Sequence, residues 1–238
     1  LITNKQKLKL KKCLNIDELR KQKNVKELEF PKIDIKKKFN YIVTFTSGTT
    51  GNPKTFKLSN INKYNRAYHS IKYFKFNRND IFYMNTSLRF TISQRILHST
   101  IMLGATCVLS DRFSTLNFKT DVNNFSITRV YCISNHITRI ANSNISQKKI
   151  NSLKTLISTS DTLQVDTKKK LIKKFKFDIY EVFGAAECGV LSSLLIKNNA
   201  FIDSVGTILD DTQLKILNKN KKTIIGKITF KSPRIYDS

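Results

Sequence analysis

One stretch of the sequence concentrates groups that bind phosphate: Thr46-Ser47-Gly48-Thr49-Thr50-Gly51-Asn52-Pro53-Lys54. The two glycines let the backbone turn tightly and come close to a ligand. Thr46, Ser47, Thr49 and Thr50 supply hydroxyl donors, and Lys54 adds a compact positive charge. A loop of this kind after a strand wraps phosphate oxygens with N–H and O–H groups. It is not the Gly-x4-Gly-Lys phosphate loop, because Pro53 stands where the second glycine would be.

The loop needs elements to hold it. Tyr41-Ile42-Val43-Thr44-Phe45 reads as a buried strand leading into it. Asn60 can cap a following helix whose apolar side runs Ile61, Tyr64, Tyr68, Ile71, Phe74. Further strands are expected over 81–84, 106–109, 128–133, 153–158 and 179–183, with helices over 92–103 and 166–175. After Leu191 the pattern turns to strand pairs, notably 213–217 with 224–230. Alternating strands and helices predict an α/β fold with a largely parallel sheet flanked by helices, closed by an antiparallel β portion. Upstream, residues 1–40 form a basic lead-in in which Asn15 and Glu18 resemble a capping box for a helix over 16–23. The divisions read from this texture are a lead-in (1–40), an α/β nucleotide-binding core (41–190) and a β-rich part of the same domain (191–238).

Composition narrows the function classes. The chain has 238 residues, 7 Gly and 3 Pro, which excludes collagen-like and low-complexity sequences. Its 4 cysteines (13, 107, 132, 188) lie far apart with no CxxC pair. That fits a reducing compartment such as the cytoplasm rather than a disulfide framework. The longest nearly apolar stretch, 101–109, is too short to span a bilayer. The net charge of +26 raises a polyanion partner, but it rests on 34 Lys against 9 Arg, alongside 22 Asn and 28 Ile. Base-reading surfaces lean on the arginine fork, so the charge reads as compositional, with no specific nucleic-acid partner expected.

The loop at 46–54 resembles that of the adenylate-forming, AMP-binding enzymes of the acyl-CoA synthetase type. Other segments follow in that family's order. Leu103-Gly104-Ala105-Thr106 resembles its Gly-Ala turn into a core strand. Tyr180-Glu181-Val182-Phe183-Gly184-Ala185-Ala186-Glu187 resembles its aromatic-Gly-x-Thr-Glu motif, and Ser204-Val205-Gly206-Thr207 its Val-Gly-x-Pro step. The resemblance covers roughly 41–236. It implies a part of the large N-terminal domain, because the sequence opens on Leu1 and stops before the family's Thr-Gly-Asp segment, hinge and small C-terminal domain.

What the resemblance implies is ATP-dependent activation of a carboxylic acid as an acyl-adenylate. Transfer to a thiol follows, on CoA or a carrier-protein phosphopantetheine. Thr46, Ser47, Gly48, Thr49, Thr50, Gly51 and Lys54 would hold the β- and γ-phosphates, with Lys54 and Glu187 the catalytic pair. Glu187 would hold Mg²⁺, a hard cation suited to a carboxylate and phosphate oxygens. Phe183 would lie against adenine, where the family usually has Tyr, and Gly184, Ala185 and Ala186 would line the nucleotide. Ser160 and Asp161 would meet the base from the segment Ser158-Thr159-Ser160-Asp161-Thr162, where the family has a glycine-rich turn. Ala186 replaces a threonine, which removes one hydroxyl near the α-phosphate.

Two other readings stay open at this point. One is a catalytically weakened homologue that binds a nucleotide or acyl group, raised by Ala186 and the altered adenine turn. The other is a basic nucleic-acid or membrane-surface module, raised by charge alone. Beyond the motifs, Tyr68 and His69 read as packing residues on a helical stripe. Cys188 reads as an inert buried thiol.

Overall fold

The computed structural model describes residues 2–3, 14–15, 37–46, 54–110, 112–197, 201–217 and 225–236. The chain divides into two units, Leu1–Lys37 and Lys38–Ser238. In the first unit, β1 (Ile2–Thr3) pairs in parallel with β2 (Leu14–Asn15), Ile2 opposite Leu14. Asn15 therefore sits in a strand, and the helix expected over 16–23 lies outside the described residues.

The second unit is built on a seven-stranded sheet. Its strands are β5 (Ile81–Met84), β6 (Thr106–Leu109), β7 (Arg129–Ile133), β8 (Thr155–Thr159), β9 (Asp178–Ala185), β10 (Gly189–Leu195) and β11 (Thr207–Ile208). The spatial order is β11-β10-β9-β8-β7-β5-β6. The five strands from β6 to β9 run parallel, while β10 and β11 join antiparallel. The chain leaves β5 for β6 on one side and returns to β7 on the other. That reversal is a topological switch point, where open α/β sheets bind ligands beyond the carboxyl ends of their strands.

Alternation along the strands builds a core on each face of the sheet. Tyr83, Val130, Cys132 and Leu156 pack on one side with Phe118, Val122, Ile137, Ile140 and Leu171. Those partners come from α3 (Thr115–Phe125), α4 (Ser134–Asn142) and α5 (Val165–Lys174). Phe82, Met84, Tyr131 and Ile157 face the other way, toward Phe74, Phe76 and Ile96. Ile96 lies on α2 (Thr91–Leu103), and Phe74 caps α1 (Asn60–Tyr73). Residues flanked by helices on both sides need apolar side chains on both faces, which is why these strands read as nearly continuous apolar runs. The helix over 92–103 and the strands over 81–84 and 106–109 lie where the sequence predicts them; α3 and α4 are elements that the sequence reading does not include.

Two antiparallel hairpins complete the unit. β3 (Asn40–Thr46) pairs with β4 (Lys54–Ser59), and β12 (Gln213–Leu217) with β13 (Lys227–Lys231). The second is the predicted closing strand pair. The first corrects the sequence reading: β3 is not buried. Tyr41, Val43 and Phe45 are about half or more exposed, and of β3 only Thr44 is fully buried, with Ile42 half-buried beside it and Phe56 and Leu58 of β4 on the covered face. A two-stranded ribbon has one covered face, so alternate apolar residues stay in solvent.

α1 brings a second correction. Its cap is Ser59 rather than Asn60: Asn62 N–H donates to Ser59 Oγ at 3.1 Å, and Ser59 N–H donates to Asn62 Oδ1 at 2.9 Å. Its buried face carries Asn62, Lys63, Arg66, Ala67 and Ser70, while Ile61, Tyr64 and Tyr68 are exposed. The helix turns its polar side inward because peptide carbonyls there need donors.

Candidate active site

At the carboxyl ends of β5, β7, β8 and β9 the structure opens a cleft of about 470 Å³. Thr86, Ile133, Thr159 and Ser160 line it from the first three strands, and Gly184, Ala185 and Ala186 from the end of β9. Phe90, Ile92 and Arg95 close it from α2, and Thr44 and Phe45 from β3. β3 and β4 end as Cα partners at Thr46 and Lys54. Both ends of the hydroxyl-rich loop are thus fixed to one ribbon, whose strand β3 borders the cleft. The intervening residues, Ser47, Gly48, Thr49, Thr50 and Gly51 among them, lie outside the described residues.

The turn after β9 is held from behind by α1. Arg66 donates through Nη1 to the Ala186 carbonyl at 2.7 Å and through Nη2 to the Glu187 carbonyl at 2.6 Å. Its Nε donates to the Arg234 carbonyl at 2.9 Å. The Glu187 carbonyl also accepts from Tyr236 N–H at 3.0 Å. Asn62 Nδ2 and Asn65 Nδ2 donate to the carbonyls of Ile235 and Pro233, at 2.7 and 3.1 Å. The inward polar face of α1 therefore clamps residues 233–236 and the 186–187 turn together. Sequence reasoning missed Arg66 because it lies 120 to 168 positions from its partners and in no motif.

The turn at 159–163 is fixed just as firmly. Ser134 Oγ donates to the Asp161 carbonyl. Leu163 N–H donates to Glu181 Oε1 at 2.6 Å. Lys168 forms an ion pair with Glu181 and donates to the Ile202 carbonyl at 2.7 Å. Ser160 sits at φ +85°, a region that side chains other than glycine enter at a cost of about 1–3 kcal/mol. Local strain of this kind at a cleft wall persists only where surrounding contacts impose it.

Arg95 at the cleft wall belongs to a cluster of cations behind the lining. Lys63, buried on α1, donates to Gln94 Oε1, and burial with Arg66 and Arg95 nearby lowers its pKa to about 7. Burial and the charge of Arg95 bring Arg66 down to about 9. Arg234 donates to Asp211 and Thr212, and Asp211 also meets His69 Nδ1 at 2.8 Å. His69 is therefore a carboxylate partner rather than a packing residue. Cys188 is buried, and burial raises its thiol pKa.

Of the residues singled out in the sequence, the cleft gathers Ser160, Gly184, Ala185 and Ala186. Phe183 and Asp161 are neighbours of that wall rather than part of it: Phe183 lies exposed on β9, and Asp161 turns Oδ1 to Thr162 N–H at 2.8 Å. Glu187 is half-buried at the end of the wall, its carbonyl pinned as above. Thr46 and Lys54 are placed at the ends of β3 and β4. Among the described residues no three His, Cys, Asp or Glu side chains gather at metal-binding distance.

The sequence pattern of the AMP-binding enzymes matches residues 1–237. The chain belongs to the AMP-binding enzyme family. D-alanine–D-alanyl carrier protein ligase of Listeria innocua is 24% identical over 215 residues, 86% of this chain and 42% of the relative. O-succinylbenzoate coenzyme A synthetase from Bacillus subtilis, in complex with AMP, has the same fold: TM-score 0.79, 20% identity, 95% of this chain and 58% of that one. Apo MatB from Rhodopseudomonas palustris superposes with a TM-score of 0.73 at 18% identity, over 82% of this chain and 40% of that one. The chain thus spans between 40% and 58% of the length of these relatives.

Within the AMP-binding fold, the resemblance of the 46–54 and 180–187 motifs acquires a spatial meaning. The strand leading into one motif and the end of the other border a single cleft. The parallel sheet and its closing antiparallel ribbon are as expected of this family. Among the described residues no helix is long and apolar enough to cross a membrane.

Proposed function

We propose that this chain carries the nucleotide-binding core of an ATP-dependent acid–thiol ligase. The carboxylate of an organic acid attacks the α-phosphorus of ATP, giving an acyl-adenylate and pyrophosphate, and the acyl group then passes to the thiol of CoA or of a carrier protein. The observation that supports this most is the cleft itself. It lies at the carboxyl ends of the parallel strands, is bordered by the strand that leads into the 46–54 motif and by the end of the 180–187 motif, and among the described residues has cations but no carboxylate in its lining.

In-line attack at phosphorus asks the protein mainly for positioning and charge neutralisation. Thr46, Ser47, Gly48, Thr49, Thr50, Gly51 and Lys54 hold the β- and γ-phosphates. Phe183, Gly184, Ala185 and Ala186 receive the nucleoside, with Ser160 and Asp161 at the base. Glu187 holds Mg²⁺, which supplies Lewis-acid neutralisation of phosphate charge. Arg66 keeps the peptide bearing Glu187 in place. Ala186 offers a methyl where a hydroxyl would add a donor, which favours a second reading: a homologue that binds nucleotide and acid but adenylates slowly.

Acid-dependent exchange of pyrophosphate into ATP separates the two, with AMP and ATP binding measured in parallel. Adenylation requires exchange, and Lys54→Ala lowers its rate by about 10²–10³-fold, the usual effect of removing a group that stabilises developing charge. Nucleotide binding without exchange supports the weakened homologue. Unchanged exchange in Lys54→Ala overturns the role given to the loop.

A further inference from the structure

Four cations meet beneath the cleft, from α1, α2 and the 233–236 segment: Lys63, Arg66, Arg95 and Arg234. Three of them have donors engaged within the protein. Lys63 donates to Gln94, Arg66 to three carbonyls, and Arg234 through Nη1 and Nη2 to Asp211 and Thr212, its Nε alone being without a partner. Arg95 has no hydrogen bond or ion pair among the described residues, and its Nε is buried without a partner. Its side chain lines the cleft, where there is no Asp or Glu. Its guanidinium is desolvated, and the neighbouring Arg234 adds repulsion.

Arg95 is half-buried with its Nε fully enclosed, and a partly desolvated charge of this kind favours a partner of opposite charge. Among the described residues no carboxylate lines the cleft beside Arg95, so an anionic ligand is what completes the site. In the proposed reaction the β- and γ-phosphates have partners of their own, namely the 46–54 loop with Lys54 and the Mg²⁺ held by Glu187. Arg95 is a charge in excess of theirs. It stands on α2 beside Phe90 and Ile92, an apolar wall suited to a carbon skeleton. Arg89, exposed and stacked 4.9 Å over the Phe90 ring, places a second guanidinium at the rim.

Resting on the ligase reading above, we propose that the acid taken by this site carries a second anionic group, a dicarboxylic acid in the first instance, and that Arg95 binds that group. The planar fork of arginine accepts a carboxylate through two parallel hydrogen bonds, whereas a neutral chain end leaves the guanidinium unpaired. Selectivity of this type exceeds what apolar contacts give, because rejecting the wrong acid means leaving a buried polar group unsatisfied.

The test uses the full chain and matched probes: linear diacids from succinate to adipate, the monomethyl ester of each, and the corresponding monoacids. Calorimetry measures their binding with and without AMP, and AMP binding is measured alone, for the wild type and Arg95→Gln. The expected result is that one diacid binds at least about 30-fold more tightly than its monomethyl ester, and that R95Q abolishes the preference, in keeping with a charge-assisted pair. Thermal unfolding checks the variant, which keeps or raises the wild-type midpoint because a partnerless charge is removed. Monoacids or esters bound as well as the diacids, or a preference unchanged in R95Q, overturns the inference and leaves the ligase reading standing. Loss of AMP affinity in R95Q with no change in acid preference assigns Arg95 to nucleotide phosphate and likewise overturns it. Diacid preference that depends on Arg95 in a protein that binds no AMP keeps the anion site and removes the ligase reading.

Discussion

Arg66 reaches across from α1 to donate to the Glu187 carbonyl at 2.6 Å, so the residue proposed to hold Mg²⁺ is positioned through its backbone by a guanidinium from another layer. The same guanidinium holds the carbonyls of Ala186 and Arg234. Arg66→Ala leaves the Ala186 and Arg234 carbonyls without a donor and the Glu187 carbonyl with Tyr236 N–H alone, and the unfolding free energy falls by about 2–4 kcal/mol in denaturant titration. Pyrophosphate exchange falls by about 10–100-fold, as expected when a ligand shifts by a fraction of an ångström. Arg66→Lys keeps the charge without the fork and recovers only part of both.

Lys63 makes stability depend on pH. Its pKa in the folded chain is about 7, against an ordinary 10.5, because of burial and then the charges of Arg66 and Arg95. Below about pH 7 the amine is charged in both states, and its burial cost bears fully on the fold. As pH rises from about 7 toward 10.5 the folded chain gives up the proton while the unfolded chain keeps it, so this contribution to stability increases. Lys63→Gln therefore raises the unfolding free energy by about 1–3 kcal/mol at pH 7, and the gain shrinks toward zero near pH 10. A gain that grows with pH contradicts the assignment.

Asp80 ties the opposite end of the sheet. Its buried carboxylate accepts from Arg129 Nε at 2.8 Å, Thr128 Oγ1 at 3.0 Å and Asn77 N–H at 2.9 Å. Asp80→Ala strands the half-buried Arg129 and lowers stability by about 3–5 kcal/mol, measured by chemical denaturation. AMP affinity of the folded fraction is unchanged, because Asp80 sits at the amino end of β5, away from the cleft.

Gly184 lies where β9 meets β10 at the cleft wall. A Cβ there would stand 2.0 Å from the Gly189 carbonyl oxygen. Gly184→Ala must force the two backbones apart beside the register shift between Val190 and Ser192. The expected cost is about 2–4 kcal/mol in unfolding free energy, with weakened AMP binding by calorimetry. Wild-type stability in this variant contradicts the close approach.

The sequence by itself determined the family and the sheet. Strands such as Ile81–Met84 and Thr106–Leu109 are short apolar runs bounded by polar turns, a pattern that follows from burial on both faces. The motif around Gly184 and the strand that enters the 46–54 loop were legible because a ligand-approaching backbone constrains residue types locally, while the pairing of that strand with β4 was not. The tertiary structure alone decided what surrounds the motifs. The apolar stripe Ile61, Tyr64, Tyr68 predicted the wrong inward face for α1, because periodicity counts apolar side chains and not the carbonyls that a distant turn leaves without donors. Tyr41, Val43 and Phe45 read as core, yet a two-stranded ribbon has only one side to cover. Arg66 at the Glu187 turn and Arg95 unpaired in the cleft come from helices with no motif of their own. Their meaning depends on which charges and carbonyls stand opposite, and only the packing of α1 and α2 against the ends of the sheet decides that.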